Sequence, residues 1–176
     1  MEPQSTFEYD AFISYRRSDG TRAAQRLRKL LKSYRLPKSL CEGRAKRLAI
    51  FLDTVYERGA SDFYEKTIRP ALMASRHLVV IATPDAVQRP AGEDWIAREV
   101  ADFSNGPRAG NIIVVRAIGD FDDVMPADIG ERYPHVQIVD MRDDGWIARL
   151  LPQRRHLLER NIEKRADDLQ PFVGDA

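Results

Sequence analysis

The chain has 176 residues, of which 43% are hydrophobic and 31% charged, enough apolar material for one buried core and too much for a mostly disordered chain. Its 28 Lys plus Arg nearly balance 27 Asp plus Glu, so the net charge of +1 argues against a polyanion binder on totals alone. The balance hides a segregation: residues 16–47 hold twelve Lys/Arg against two acids, a net of +10 that leaves −9 for the rest.

In chain order, residues 1–6 lack the basic and apolar regions of a secretory signal and are expected to be disordered. Residues 9–15 form a continuously apolar, aromatic and β-branched run, the pattern of a strand covered on both faces. Ala23, Leu27, Leu30, Leu31 and Tyr34 then recur at helical spacing. A second buried strand is predicted at 48–52. A second helix follows with Tyr64, Ile68, Ala71 and Leu72 on one face, and Asp62 and Glu65 are spaced as its capping box. The third strand is predicted at 78–82. A third helix is predicted over 94–104, with Ile96, Val100 and Phe103 as its core stripe and Asn105, Gly106 and Pro107 as its stop. The fourth strand falls at 111–117 and a weaker fifth at 136–139, and the acidic stretch 119–133 between them reads as mostly loop. Trp146, Ile147, Leu150 and Leu151 predict one short helix, and Leu157, Leu158 and Ile162 another after Pro152. Residues 169–176 read as a tail or the start of a linker. Strands and helices alternate, which predicts an α/β sandwich with right-handed crossovers and a single domain over 7–168.

One cysteine, Cys41, excludes an internal disulfide and suits a reducing compartment. His77, His135 and His156 are widely separated, so no spaced metal-ligand set is present and no metal is expected. No window reaches the ~18 apolar residues of a membrane span, and a cytoplasmic protein without membrane contact is the resulting expectation. The glycine fingerprints of dinucleotide dehydrogenases, P-loop NTPases and α/β-hydrolases are missing. In an open parallel sheet, ligands bind outside the carboxyl ends of the strands. The candidates are therefore Arg16, Arg17, Ser18 and Asp19 after the first strand, Asp53 and the loop to Ser61 after the second, and Thr83, Pro84 and Asp85 after the third. The third helix starts at that same edge, and its i to i+4 pair Trp95 and Glu99 shares one face beside the core stripe. Glu99 reads either as a partly desolvated functional acid or as a surface acid paired with an arginine.

The run Tyr9-Asp10-Ala11-Phe12-Ile13-Ser14-Tyr15 resembles the first box of the Toll/interleukin-1 receptor (TIR) domain, and the resemblance extends over roughly residues 7–150. Phe51-Leu52-Asp53, Ala74-Ser75-Arg76 and Asp94-Trp95-Ile96-Ala97-Arg98-Glu99 support it. The last segment resembles the W-x-x-x-E segment of NAD-hydrolysing TIR domains, whose Glu is catalytic, and Ser14-Tyr15-Arg16-Arg17 is similar to a run in animal members with that activity. The resemblance implies a flavodoxin-like three-layer sandwich: a five-stranded parallel sheet of order 2-1-3-4-5 with helices on both faces. It also implies an NAD+ glycohydrolase that takes NAD+ as substrate, needs no cofactor, uses Glu99 as its catalytic carboxylate and lines its pocket with Tyr15, Arg16, Arg17, Asp53, Tyr56 and Trp95. The loop Asp53-Thr54-Val55-Tyr56-Glu57-Arg58-Gly59 departs from receptor and adaptor members by lacking their proline. Receptor-type docking through that loop is thereby put in doubt.

The implied chemistry suits a single carboxylate. Nicotinamide is cationic in NAD+ and leaves neutral, so no general acid is needed, and a fixed carboxylate stabilises the oxocarbenium-like ribose. Capture by water gives ADP-ribose, and capture by an adenine nitrogen gives a cyclic product. Arg16 or Arg17 can hold the pyrophosphate through a bidentate guanidinium, or be a solvated strand-end arginine. Trp95 can face the nicotinamide or anchor the core, and Tyr56 can stack on a base or sit exposed in its loop. Asp53 can fix its loop by accepting backbone N–H groups, while Asp10 and Ser14 read as structural.

Competing readings are a non-enzymatic module that signals by TIR–TIR assembly, a phosphoacceptor receiver domain, and nucleic-acid binding through 16–47. The receiver lacks its acids after the first strand, and a solvated helix face is the commoner meaning of the charge run. The resemblance further implies homotypic self-association that switches the enzyme on, a fused or partner sensor domain, and a role in bacterial defence. Self-association is expected to set the basic helix face against the acidic 119–144 stretch of another copy and to weaken with salt.

Overall fold

A computed structural model of the protein describes residues 7–37, 47–53, 61–88, 94–106, 108–119, 125–133 and 135–142. Its strands are β1 (Tyr9–Ser14), β2 (Ile50–Leu52), β3 (Ser75–Ala82), β4 (Ile112–Arg116) and β5 (Gln137–Asp140). All pair in parallel, in the order β2-β1-β3-β4-β5, as the predicted α/β sandwich requires. Between them lie α1 (Arg17–Ser33), α2 (Ser61–Phe63), which runs through a π-helical turn (Tyr64–Ile68) into α3 (Arg69–Met73), and then α4 (Pro84–Val87), α5 (Trp95–Ser104) and α6 (Ala127–Gly130). The chain divides into two compact units, 1–140 and 141–176, and of the second only Met141 and Arg142 are described.

Alternation along the strands builds the layers. Phe12, Leu78, Val80, Ala82, Ile112 and Val114 share one face of the sheet and pack with Tyr64, Ile68, Leu72, Ile96, Val100 and Phe103. Their neighbours Ile13, Val79, Ile81 and Val115 point the opposite way and are also buried. On that side α1 buries Gly20, Ala24 and Leu27, with Gly20 close to Tyr15 and Ile81. The central strands are thus apolar on both faces, which explains their continuous rather than alternating pattern. Phe12 stands opposite Phe51 in the β1–β2 register, and their rings stack at 5.1 Å.

Several boundaries differ from the sequence expectation. β3 begins at Ser75, not at 78, because register outweighs polarity there: Ser75 and His77 align with Tyr9 and Ala11. Ser75 Oγ donates to the Ala71 carbonyl at 2.7 Å, and His77 Nδ1 lies 3.1 Å from the Asp10 carbonyl. The Asp10 carboxylate accepts the Ala49 N–H at 2.8 Å and ties the two edges of the β1–β2 pair, the structural role expected of it. The capping box of Asp62 and Glu65 does not form. The helix already begins at Ser61, Asp62 pairs with Lys66 at 2.8 Å, and Glu65 reaches Arg98 at 2.6 Å. The stretch read as mostly loop before β5 contains α6, since fully buried Ile129 draws one helical turn onto the core. Asp94, expected as the first residue of the third helix, instead caps α5, accepting the Ala97 N–H at 3.3 Å. The helices predicted after Gly145, the segment 1–6, the tail, Cys41 and Tyr56 lie outside the described residues.

Candidate functional site

Parallel strands deliver their carboxyl ends to one edge, and α1, α2, α4 and α5 all start there. The polar residues singled out after β1, β2 and β3 meet at this edge. Asp19, in the first turn of α1, accepts Thr83 Oγ1 at 2.7 Å and the Asp85 N–H at 2.9 Å, clipping the β1 exit to the β3 exit. Arg16 donates from Nε to the Asp85 carbonyl at 3.1 Å and from Nη2 to Asp94 Oδ1 at 3.0 Å. It thereby holds the capping residue of α5. Arg17 donates to Asp53 Oδ2 at 2.9 Å, and the Tyr15 hydroxyl donates to the Asp53 carbonyl at 2.8 Å.

A recess lies between the π turn and α5. Phe63, Tyr64, Ile68, Trp95 and Glu99 line about 180 Å³ of empty space that is open to solvent. The enclosed part of this space is about the size of one water molecule, so any larger group would lie against its mouth. Trp95 and Tyr64 form an aromatic pair with ring centres 5.3 Å apart, tilted by 33°. Glu99 is 2% exposed. It is therefore a buried acid, not one on the surface. Tyr64 is buried too, and its phenol pKa is pushed far above the ordinary 10.0 by burial first, then by its hydrogen bond to Asp102 and the charges of Asp102 and Glu99, with Arg98 opposing.

An ion network backs the aromatic pair. Tyr64 donates to Asp102 Oδ2 at 3.0 Å, and Arg69 Nε lies 3.3 Å from the same oxygen. Glu65 takes Arg98 at 2.6 Å and Arg69 at 3.7 Å. The Arg98 guanidinium stacks over the Tyr64 ring at 3.9 Å and sits 5.6 Å from the Trp95 ring centre. The Arg98–Glu65 side chains are 33% and 50% exposed, so this pair contributes only ~0–1 kcal/mol to stability.

The residues nominated from sequence thus fall into two groups. Glu99 and Trp95 meet in the recess. Tyr15, Arg16, Arg17 and Asp53 belong to a bonded framework beside it: Tyr15 is buried with its hydroxyl on Asp53, and the Asp53 side chain, expected to hold its loop, takes Arg17 and is 2% exposed. Phe63, Ile68, Tyr64 and Arg98 complete the recess and its surroundings without having been nominated for it. A signal for Tyr64 was present: it follows the first turn of the second helix, which starts at the same sheet edge as the helix that Trp95 opens. Among the described residues no three His, Cys, Asp or Glu gather as a metal site, and no helix is long and apolar enough to cross a membrane. The chain matches no family model and no curated protein.

Proposed function

We propose that this chain is a cytoplasmic TIR-type NAD+ hydrolase that cleaves the nicotinamide–ribose bond and acts in defence signalling once self-associated. The observation that carries the reading is Glu99, a carboxyl 2% exposed in a recess walled by Trp95 and Tyr64. The motif resemblance supplies the reaction, and the recess supplies a fitting environment. The aromatic walls suit a planar cationic ring. When the glycosidic bond breaks, its electron pair passes to the ring nitrogen and nicotinamide leaves neutral. The positive charge moves to the ribose, where a carboxylate held in a low-dielectric wall stabilises it more strongly than water would. Water then attacks the anomeric carbon and loses a proton, giving ADP-ribose. Glu99 is the catalytic residue, and Trp95 and Tyr64 hold the ring.

Purified full-length chain, titrated to high concentration to favour self-association, is expected to release nicotinamide from NAD+, read by chromatography. Glu99→Gln should lower the rate by ~100-fold or more, the scale of one lost electrostatic stabiliser. Equal turnover by the variant removes Glu99 from the mechanism.

A second reading, a non-enzymatic assembly module, draws on a different observation: the two arginines offered to the pyrophosphate are engaged with Asp94 and Asp53. Self-association without NAD+ turnover at any concentration favours it.

A further inference from the structure

We propose that Arg98 is the phosphate-anchoring residue of this site, taking a pyrophosphate ester in place of its present partner Glu65. The inference rests on the dinucleotide reading above. The recess is far too small for a dinucleotide, so most of one must lie outside it, beside the rings that line it. Arg98 occupies that position, stacked at 3.9 Å on Tyr64 and 5.6 Å from Trp95. Contact with the rings restrains the guanidinium, and a planar fork matches phosphate oxygens bidentately. An anchor ordered in advance binds with less entropy lost.

The three arginines of the site differ in what their withdrawal would leave behind. Moving Arg17 strands the Asp53 carboxylate, which is 2% exposed. Moving Arg16 releases both the Asp85 carbonyl and the Asp94 cap of the helix that carries Glu99. Moving Arg98 leaves Glu65, half exposed to water and still 3.7 Å from Arg69. Of the three carboxylate partners, Glu65 is the one most open to water, so its release costs least. Glu65 is thus a competitor of the phosphate for one guanidinium, and neutralising it should favour the ligand.

The test titrates the full chain with ADP-ribose, which carries the pyrophosphate but no nicotinamide bond, by calorimetry, alongside NAD+ turnover. Arg98→Met, which keeps an apolar stem and removes the guanidinium, should weaken ADP-ribose binding by ~10–100-fold, the size of one charge-assisted contact. Arg98→Lys should recover part of the loss. Glu65→Gln should tighten binding several-fold, a change of opposite sign that a merely structural pair would not produce. Unchanged affinity in Arg98→Met, weakening in both Arg98→Met and Glu65→Gln, or no ADP-ribose binding by the wild type would each overturn the proposal. Arg98-dependent binding without NAD+ turnover leaves the anchor standing and removes the hydrolase. Turnover with affinity indifferent to Arg98 does the reverse.

Discussion

Replacing Arg17 with methionine keeps the apolar stem and removes the guanidinium from Asp53, whose side chain is 2% exposed. Breaking a fully buried pair on one side costs ~3–5 kcal/mol, whereas a pair in open solvent contributes ~0–1 kcal/mol. Arg17 keeps 28% of its side chain exposed, so water reaches one side of the pair and the expected cost falls between, at ~2 kcal/mol. In a chain of this length each kcal/mol moves the thermal midpoint by ~2–4 °C, which places the loss at ~4–8 °C. Urea and thermal unfolding of wild type, Arg17→Met, Asp53→Asn and the double variant give the coupling. It should be ~1–2 kcal/mol, because the double variant has no carboxylate left to strand. An Arg17→Met protein that unfolds with the wild type but binds ADP-ribose more weakly would refute the reasoning. Arg17 would then be a ligand-binding group, not part of the framework around β1 and β2.

Tyr64→Phe removes the 3.0 Å hydrogen bond to Asp102 and should cost ~1–2 kcal/mol in urea unfolding; no loss would mean that the ion network holds the π turn without the phenol. The folded state keeps the Tyr64 proton that the unfolded chain gives up above 10.0. The stability it contributes is whole below that pH and drains as pH climbs further, so Tyr64→Phe should show a shallower alkaline decline than wild type. Gly20→Ala should stabilise α1 by ~0.5–1 kcal/mol, since the added Cβ would meet Tyr15 Cβ at 3.4 Å and Ile81 Cγ2 at 3.9 Å, ordinary contact distances; a lowered urea midpoint would show that Tyr15 cannot accommodate it. Arg22, Lys29 and Lys32 are exposed along α1, and sedimentation at low and high salt should show self-association weakening as salt screens them. Salt-independent assembly would leave the charge segregation without a role.

Strand and helix order was legible in the sequence because local physics writes it: β1, β3 and β4 are buried on both faces, so their central runs are apolar, and α5 announces itself by a stripe of Ile96, Val100 and Phe103 and the stop after it. The same spacing placed Trp95 and Glu99 on one face, and the topology of parallel strands named the edge where Arg16, Arg17, Asp53 and Thr83 gather. Partnership was not legible. Whether Arg17 meets a ligand or Asp53, and whether Arg98 points to solvent or lies on Tyr64, depends on residues 36 and 34 positions away in the chain. Such distances close only when the sheet order is formed. Ser75 and His77 join β3 for the same reason, since a polar residue enters a strand when its neighbour's register demands it. Composition and periodicity thus determined the elements and the edge that carries the site. Tertiary packing decided that Glu99 is buried, that Tyr64 lines its recess, and that Arg98 lies over Tyr64 with the half-exposed Glu65 as a partner.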